Sequence, residues 1–403
     1  MQLTAFKHRP FKLYWLARFT ATFAVQVISV AVAWQVYDIT RDAFDLGILG
    51  IVQFLPMLLL VLITGATADR FGHRRVMVLS VAVEVLCALA ILAFAWHGLS
   101  SPMPIFVVLT VLAVARAFFG PASQALTVHL VPKLDFANAI AWNASAWQIA
   151  TIVGPMAGGL LYGAGASVAY GTSLLLIVLS LVLLLQIPDP PKPAEIRKIT
   201  FASLFEGLHF IRRERLVLGA ISLDLFAVLL GGAVALMPVY ARDILQLGPW
   251  GLGLLRAAPG VGAVLMTLAL SAMPVRDHAG KVLLFFVGLF GLFTVGFGVS
   301  TTPWLSILML ALLGAADTIS VVIRETLLQL WTPDAVRGRV NAVNMVFVGA
   351  SNELGEFRAG LMAAWIGAVP AVVVGGIGAI GVAALWGILF PTLRDARYLD
   401  GRK

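Results

Sequence analysis

Long uninterrupted runs of apolar residues limit what this chain can fold into more than any other feature. Residues 46–66 contain no charge, and residues 76–96 contain only Glu84. Each run is long enough for a membrane helix, because about 20 residues cross a ~30 Å hydrocarbon core. Only 12% of all residues are charged and the mean hydropathy is +0.96, whereas about 25% is charged in soluble domains. The chain is therefore predicted to be an integral membrane protein.

The hydropathy pattern predicts an all-α integral membrane fold with 12 transmembrane helices. The runs are uniformly apolar, which excludes a membrane barrel with alternating residues. The basic N-terminus enters a long apolar run without a small-residue cleavage site, so we expect a retained first helix. The predicted spans are residues 11–37, 46–68, 74–97, 103–131, 137–163, 166–187, 216–241, 250–273, 281–300, 303–331, 340–366 and 369–391.

The positions of the basic residues predict the orientation of these spans. Of 28 Lys and Arg residues, 21 fall at the two termini and in every second connection. Only Arg41 and Arg242 fall on the opposite side, and five lie within spans. By the positive-inside rule, both termini are predicted to be cytoplasmic. The net charge of +8 is thus an orientation signal, and no nucleic-acid partner is expected.

Several kinds of chemistry have no support in the sequence. The single cysteine, Cys87, lies inside an apolar run, and the six histidines lie at span ends or in loops without ligand spacing. No phosphate-binding G-x-x-x-x-G-K-[ST] loop occurs. We therefore expect no metal, no cofactor and no enzymatic activity.

The chain divides into two related halves of six spans. The segment FAVQVISVAVAWQVY at 23–37 aligns without gaps to FAVLLGGAVALMPVY at 226–240, and the same shift places Pro56 on Pro259. Six spans per half predict a parallel pseudo-twofold repeat with a site between the halves. The predicted domains are residues 1–187, a cytoplasmic linker at 188–215 that contains an amphipathic helix, and residues 216–403.

The charged stretch GATADRFGHRRVM between the second and third spans resembles the G-x-x-x-D-R-x-G-R-R signature of the major facilitator superfamily. The resemblance implies a latch that holds the cytoplasmic side closed. Its arginines can form forked hydrogen bonds across the gap between the halves, and its glycine permits the tight turn. A simple positive-inside loop is the alternative. The matching residues are Gly65, Asp69, Arg70, Gly72, Arg74 and Arg75, with His73 inserted before the arginine pair.

The fifth span, ATIVGPMAGGLLYG, is similar to the G-x-x-x-G-P-x-x-G-G motif of drug:proton antiporters in this superfamily, with Ala150 in place of the first glycine. Its matching residues are Gly154, Pro155, Gly158 and Gly159. The proline bends the helix, and the glycines permit close packing against the eighth span. The resemblance implies a seal used in export. Ordinary small-residue packing is the alternative.

Charges within membrane spans are energetically costly, so each one indicates a structural or functional role. Arg116 and Asp317 occupy equivalent positions of the repeat at mid-membrane, and Arg18 and Asp224 lie nearer the cytoplasmic end. We expect these four residues to form a charged network in the central cavity. Arg116 with Gly120 also resembles a fourth-helix R-x-x-Q-G pattern that is tied to proton coupling. Static ion pairs that hold the halves together are the alternative.

The segment from 322 to 360 resembles the enterobactin-exporter-like subfamily of the major facilitators, as do QFLP at 53–56 and WQVYDIT at 34–40. On one helix face, Glu353 and Glu356 are spaced i, i+3 and could load and release a proton in a cavity. Alternatively, Arg324, Glu325 and Arg358 could hold these acids in structural pairs.

Three functions remain open for the same fold. The resemblance favours a proton-coupled antiporter that exports a small, partly apolar molecule such as a drug or a siderophore-like metabolite. A proton-coupled importer and a uniporter or lipid transporter are the alternatives. The expected partners are a small-molecule substrate, protons and the lipid bilayer. The expected location is the bacterial inner membrane, and the expected state is a monomer. Glu84 and Arg256 are expected to serve in packing or gating.

Overall fold

The described part of the chain folds almost entirely into helices. The computed structural model describes residues 3–99, 101–189, 201–273 and 277–397, and no strand occurs among them. The helices are α1 (Arg9–Thr40), α2 (Ala43–Phe71), α3 (His73–His97), α4 (Met103–Thr127), α5 (Phe136–Ala164), α6 (Ala166–Leu185), α7 (Phe201–Arg213), α8 (Arg215–Gly231), α9 (Gly248–Ala272), α10 (Ala279–Val299), α11 (Pro303–Trp331), α12 (Asp334–Ile366), α13 (Ala368–Leu389) and α14 (Pro391–Arg394).

Ten helical segments in the described part of the chain are long and apolar enough to cross a membrane. The predicted spans 137–163 and 340–366 coincide with helices α5 and α12, which are not among the ten. Their polar content explains this, since α12 carries several charges and α5 contains two asparagines, a serine, a glutamine and several glycines. The all-helical membrane fold is confirmed, and a count of twelve crossings stays a prediction.

The predicted span 216–241 is a broken helix in the structure. Helix α8 ends at Gly231, and residues 234–244 continue as a 3₁₀ turn, a short α-helical turn and a wide π turn over Tyr240–Ile244. Two features of the sequence explain the break. Gly231 and Gly232 weaken the helix, and Pro238 lacks a backbone N–H.

Helix breaks leave backbone carbonyls without partners, which is costly inside a membrane unless a side chain replaces the lost bonds. Arg358 on α12 does so here. Its Nε donates to the carbonyl of Leu229 at 2.9 Å, and its Nη2 donates to the carbonyl of Leu230. Gly375 on α13 leaves the space in which this guanidinium and the Leu230 carbonyl meet.

The first compact unit, unit 1, comprises Met1–Arg41, Val52–Ile199 and Gly248–Leu254. Within it α1 packs against α5 and α6, and α3 packs against α4 and α6. The start of α9 also belongs to unit 1. There a side chain at Gly159 of α5 would collide with the Pro249 carbonyl and with Gly253.

The second compact unit, unit 2, comprises Asp42–Ile51, Thr200–Leu247 and Leu255–Lys403. Within it α8 packs against α12 and α13, and α10 packs against α11 and α13. These are the helix pairs that the sequence repeat makes equivalent to the pairs of unit 1. The start of α2 belongs to unit 2, where a side chain at Gly360 of α12 would meet the Ala43 carbonyl and Gly47. The predicted domain boundaries at 187 and 216 stay a prediction.

The linker helix α7 belongs to unit 2 and packs against its other helices. Its Ile211 is only 1% exposed and lies in an apolar cluster with Val217, Leu328, Val340 and others, with Leu208 packed against the cluster. A side chain at Gly207 would collide with the backbone of Arg339. The side chains at the start of the predicted amphipathic face, residues 201–206, lie outside the described part of the chain, as do residues 190–200.

Two glycines permit a close helix crossing in unit 2. A Cβ atom at Gly262 of α9 would overlap the Ala311 carbonyl of α11, and one at Gly314 of α11 would overlap the Pro259 carbonyl of α9. Small residues at such crossings let helices in membranes pack closely. The contact is therefore made by backbone against backbone.

We predict that Gly262→Ala and Gly314→Ala each destabilise the protein by about 1–3 kcal/mol, the usual cost of overpacking. The matched control is Gly288→Ala on α10, where an added Cβ meets nothing within 4 Å. Unfolding in detergent micelles, followed by circular dichroism, measures the difference. Equal stability of all three variants would show that the crossing opens at little cost.

Candidate functional site

The signature loop begins where α2 ends at Phe71, with a turn at Gly72 (φ 94°) before α3 starts. Arg74 donates hydrogen bonds from three nitrogen atoms to the end of α6 and to the segment that follows it. Its Nε donates to the Leu184 carbonyl at 3.2 Å, its Nη2 to the Leu185 carbonyl at 2.7 Å, and its Nη1 to Asp189 at 2.8 Å. The arginine thus supplies partners for carbonyls that every helix C-terminus leaves free.

The carboxylate of Asp189 ties both arginines of the loop to the end of α6. Arg75 lies 3.7 Å from it. The hydrogen bond from Arg74, followed by the positive charges of both arginines, lowers the pKa of Asp189. All these contacts are inside unit 1, whereas the sequence predicted forked bonds from one half to the other.

The other residues of the signature make local contacts. Asp69 lies 4.0 Å from Nε2 of His73, and the ring of His73 stacks on that of His129 at 5.9 Å. The guanidinium of Arg70 lies over the ring of Phe71. Gly65 has open space on its side-chain side. A latch function for the loop stays a prediction.

The fifth-helix motif forms two packing surfaces in unit 1. An added Cβ at Gly154 would strike the Gln26 side chain of α1 at 2.6 Å, and one at Gly158 would meet the Val27 backbone at 3.0 Å. Gly159 and the carbonyl of Pro155 face Gly253 of α9. Each of the four motif residues is therefore at a close helix contact.

One buried charge pair in unit 1 involves Arg116. Its Nη1 lies 3.6 Å from Oε1 of Glu84 on α3, a residue with no exposed side-chain surface, and its guanidinium lies over the Phe119 ring at 5.5 Å. The sequence assigned Glu84 to packing or gating and not to Arg116. Arg18 is partly buried on α1 and takes part in neither this pair nor the pair of unit 2 described next.

A buried network in unit 2 joins three helices. Asp224 of α8 forms an ion pair with Arg324 of α11, whose side chain is 4% exposed. Arg324 also lies 3.8 Å from Glu325, which accepts a hydrogen bond from Asn344 of α12 at 3.0 Å. The suggestion that Arg324 and Glu325 pair with the α12 acids is therefore wrong. Arg324 pairs with Asp224 instead, because α8 and α11 pack together at this depth.

A small cavity separates Asp317 from that network. The cavity has a volume of about 10 Å³ and is lined by both Asp317 and Asp224, with Ser320 and the Phe290 ring among its walls. This volume is close to the minimum that one water molecule needs. The two carboxylates therefore share a small space inside unit 2 whose other walls are mostly apolar.

The acids of α12 form a second cluster in unit 2. Glu353 and Glu356 are partly buried, and Arg256 of α9 lies near enough for charge attraction to both of them. The carboxylate of Glu353 covers Gly50 near the start of α2, where an added Cβ would lie 3.2 Å from Oε2. The nearby Asn352 donates to the Val348 carbonyl and not to Glu356.

The cation beside the α12 acids is thus Arg256, which the sequence assigned to packing or gating. Arg358 was the predicted structural partner, but its guanidinium is occupied by the carbonyls at the end of α8. The glycine pair that ends α8 was the signal in the sequence that Arg358 would be needed at the carbonyls of a broken helix. No sequence spacing relates Arg256 to Glu353, since they are 97 positions apart.

Two acids beside one cation can exchange a proton without leaving a large net charge inside the protein. Asp224 and Glu325 beside Arg324 are likewise two acids with one cation. Among the described residues no group of three or more His, Cys, Asp or Glu side chains is placed to hold a metal ion. The chemistry that the site residues can perform is therefore charge pairing and proton binding.

We predict that Arg74→Gln destabilises the protein by about 1–2 kcal/mol through loss of the charged hydrogen bonds to the end of α6. Arg75→Gln is the matched control and should cost much less, because its side chain is 64% exposed and lies 3.7 Å from Asp189. Thermal unfolding at several pH values measures both effects.

The pH dependence of the Arg74 effect follows from Asp189. Folding lowers the pKa of Asp189 from its ordinary value of 3.8. The contribution of Asp189 to the free energy of unfolding is therefore present above pH 3.8 and is lost as the pH falls through the lowered pKa. The gap between wild type and Asp189→Asn should accordingly close in acid. A gap that stays constant with pH would contradict this assignment.

Known proteins resemble this chain over nearly its whole length. A family described as transmembrane secretion effector matches residues 1–397. The enterobactin exporter EntS of Escherichia coli (strain K12) is 25% identical, with 97% of this chain and 94% of the relative covered. The corresponding exporter of Shigella boydii serotype 18 is 26% identical, with 93% and 86% covered.

Solved structures agree with this fold. A bacterial homologue of the human lysosomal transporter Spinster, inward-facing and occupied, has a TM-score of 0.74 at 15% identity, over 98% of this chain and 99% of that one. The nucleoside transporter NupG has a TM-score of 0.71 at 14% identity, over 96% and 99%. The relatives and the fold are those of transporters, which are not enzymes. The chain therefore belongs to the transmembrane secretion effector family of the major facilitator superfamily and is a multi-pass membrane transporter of small molecules.

Proposed function

We propose that this transporter exports a small, partly apolar molecule by alternating access, in exchange for protons. Support for the direction comes from the enterobactin exporters, which are 25–26% identical to it over most of their length. Support for the coupling comes from the acid clusters of unit 2. The cargo need not be enterobactin, because cavity specificity varies freely on one scaffold.

The observation that carries the proton coupling is the cluster of Glu353, Glu356 and Arg256. With both acids ionised, the cluster bears one net negative charge among packed helices. Such a charge is expensive away from water. Binding one proton makes the cluster neutral, so we infer that the buried form holds one proton more than the water-exposed form.

The position of Glu353 links this proton to helix packing. Its carboxylate covers Gly50, and the Cβ atom of Glu356 lies beside the same glycine. A charged carboxylate and a protonated carboxyl differ in the hydration that they need. We therefore propose that α2 packs closely here when the proton is bound and separates when the proton leaves.

The remaining candidate residues are given supporting roles in this proposal. Asp317 and Asp224 share the small cavity of unit 2 and form a second place where a proton or a polar group of the cargo could bind. Arg116 and Arg18 supply positive charge in unit 1. The loop from Asp69 to Arg75 is proposed to latch one conformation, and the glycines of α5 are proposed to seal the outer side.

The cellular setting of this proposal follows from the charge pattern. We place the protein in the bacterial inner membrane as a monomer in the lipid bilayer, with both termini in the cytoplasm. The basic residues at the termini and in alternate connections support this orientation.

The cargo and its direction can be identified by metabolite profiling of cells and medium. The strains to compare are a deletion strain, its complement and a complement that carries Asp317→Asn. Export predicts a compound that disappears from the medium of the deletion strain and accumulates in its cells, with only the intact gene restoring it. A compound left unused in the medium would instead show import.

We predict that Glu353→Gln and Glu356→Gln each reduce efflux driven by a pH gradient at least tenfold, while exchange of cargo without a gradient continues. Neutral amides keep the shape of the acids but cannot take up the proton. The assay uses purified protein in liposomes with the cargo found by profiling. Glu214→Gln is the control for loss of a carboxylate, since Glu214 lies in the turn before α8.

Two results would overturn the coupling proposal. Full gradient-driven efflux in both variants would exclude these acids as the proton site. Transport by the wild type that is indifferent to any proton gradient would show a uniporter.

A further inference from the structure

The short segment that follows α13 folds back onto the start of α10. The backbone N–H groups of Ala279 and Gly280 donate to the carbonyls of Arg397 and Ala396, at 3.2 and 2.9 Å. Gly280 is required at this point, because a Cβ atom there would overlap the Leu393 carbonyl. The first N–H groups of α10 are therefore already satisfied, and side chains determine what this surface can bind.

A polar cavity of about 100 Å³ lies at this junction. It is several times larger than the 10–15 Å³ that one water molecule needs. Most of its lining side chains can carry charge, and four of them are basic. The lining residues are His278, Lys281, Arg394, Asp395, Ala396 and Arg397.

The one acid in the cavity wall neutralises only one of its cations. Arg394 donates through Nε and Nη2 to the two carboxylate oxygens of Asp395, at 2.9 and 3.1 Å. Arg394 is the main cause of the lowered pKa of Asp395, with smaller contributions from the charges of Lys281 and Arg397. Those two exposed side chains form no hydrogen bond or ion pair with another residue of the described chain. Two positive charges are left for a ligand.

At the equivalent junction of unit 1, the corresponding arginine is already occupied. There Arg74 donates with all three of its nitrogen positions to the end of α6 and to Asp189. In the second half of the sequence, the residues before α10 lack the arginine pair that the signature loop has at the start of α3. The cationic cavity is therefore a property of unit 2 and not a general result of the repeat.

Apolar side chains lie next to the cavity on both helices. Phe285 is one turn beyond Lys281 on α10 and is 62% exposed, and Ile388 near the end of α13 is 72% exposed. Arg394 reaches the carbonyl of Gly387, the neighbour of Ile388. Cations at a helix end, followed by exposed apolar residues along the same helices, match the order of headgroup and acyl chain in a phospholipid.

We propose that this cavity binds the phosphate of an anionic phospholipid, with Lys281 and Arg397 contacting the headgroup and the acyl chains lying along α10 and α13. The shared chemistry is a phosphate group. We commit to the lipid as its source because of the exposed apolar residues beside the cations. The proposal is independent of the direction of transport and of proton coupling.

The test is native mass spectrometry of the purified full-length protein in detergent, titrated with dioleoyl-phosphatidylglycerol or dioleoyl-phosphatidylcholine. We expect the double variant Lys281→Gln/Arg397→Gln to bind phosphatidylglycerol about tenfold more weakly, since each basic residue near an anionic lipid contributes appreciably. Lys12→Gln/Lys133→Gln removes the same charge from exposed residues of unit 1 and should leave this binding unchanged.

A gain-of-binding variant separates this proposal from simple damage to the fold. Asp395→Asn removes the acid that occupies Arg394, so it should bind phosphatidylglycerol more tightly than the wild type. Weaker or unchanged binding by Asp395→Asn would overturn the site, as would equal losses in the two double variants.

Addition of inorganic phosphate to the titration identifies the source of the phosphate group. A lipid site predicts that phosphatidylglycerol stays bound in a large excess of phosphate, because the acyl chains add to its affinity. Displacement by phosphate alone would show a site for a soluble anion and would overturn the lipid assignment.

Discussion

A hydrocarbon environment offers no water to a charge or to an unpaired backbone group, and each unit of this transporter has to supply such partners from its own side chains. Arg358 covers the carbonyls that the break in α8 leaves free, and Arg74 does the same at the end of α6. Arg116 and Arg324 pair with buried acids. Most arginines in or beside the helices therefore have structural partners. Two clusters of unit 2 keep more acids than cations, Glu353 and Glu356 beside Arg256, and Asp224 and Glu325 beside Arg324.

Much of the fold could be predicted from the sequence because the signals are local. The runs of apolar residues identified most helices within a few positions of their ends, whereas the orientation that the charge pattern indicates stays a prediction. The broken end of α8 was missed, since hydropathy does not register a helix break when the residues on both sides are apolar. Gly231, Gly232 and Pro238 were the available signal.

The candidate site was predicted less well, because its contacts join residues far apart in the chain. Glu353 and Glu356 could be found from their spacing on one helix, but the cation beside them could not. Arg256 and Glu84 were assigned to packing, although each lies beside an ionisable partner. Arg324 and Arg358 stand closer to the acids in sequence, yet tertiary packing directs them to Asp224 and to α8. A charge inside a helix shows that a partner exists and does not show which helix supplies it.

The acids of α12 also lie where helix packing and charge meet. Glycines let α2 approach α12 closely in unit 2, and the Glu353 carboxylate lies over one of those glycines. A change of protonation at this point acts directly on a backbone contact, without a relay through other residues. Under the proposed function, release of the proton loosens the packing of this short segment of α2 against α12.

The most direct test is infrared difference spectroscopy of the purified protein in lipid, which detects the C=O stretch of a protonated carboxyl group. The account predicts such a band at neutral pH in the wild type, shifted in ²H₂O and absent from the double variant Glu353→Gln/Glu356→Gln. If the wild type shows no protonated carboxyl, or if the double variant keeps the same band, the cluster does not hold the transported proton.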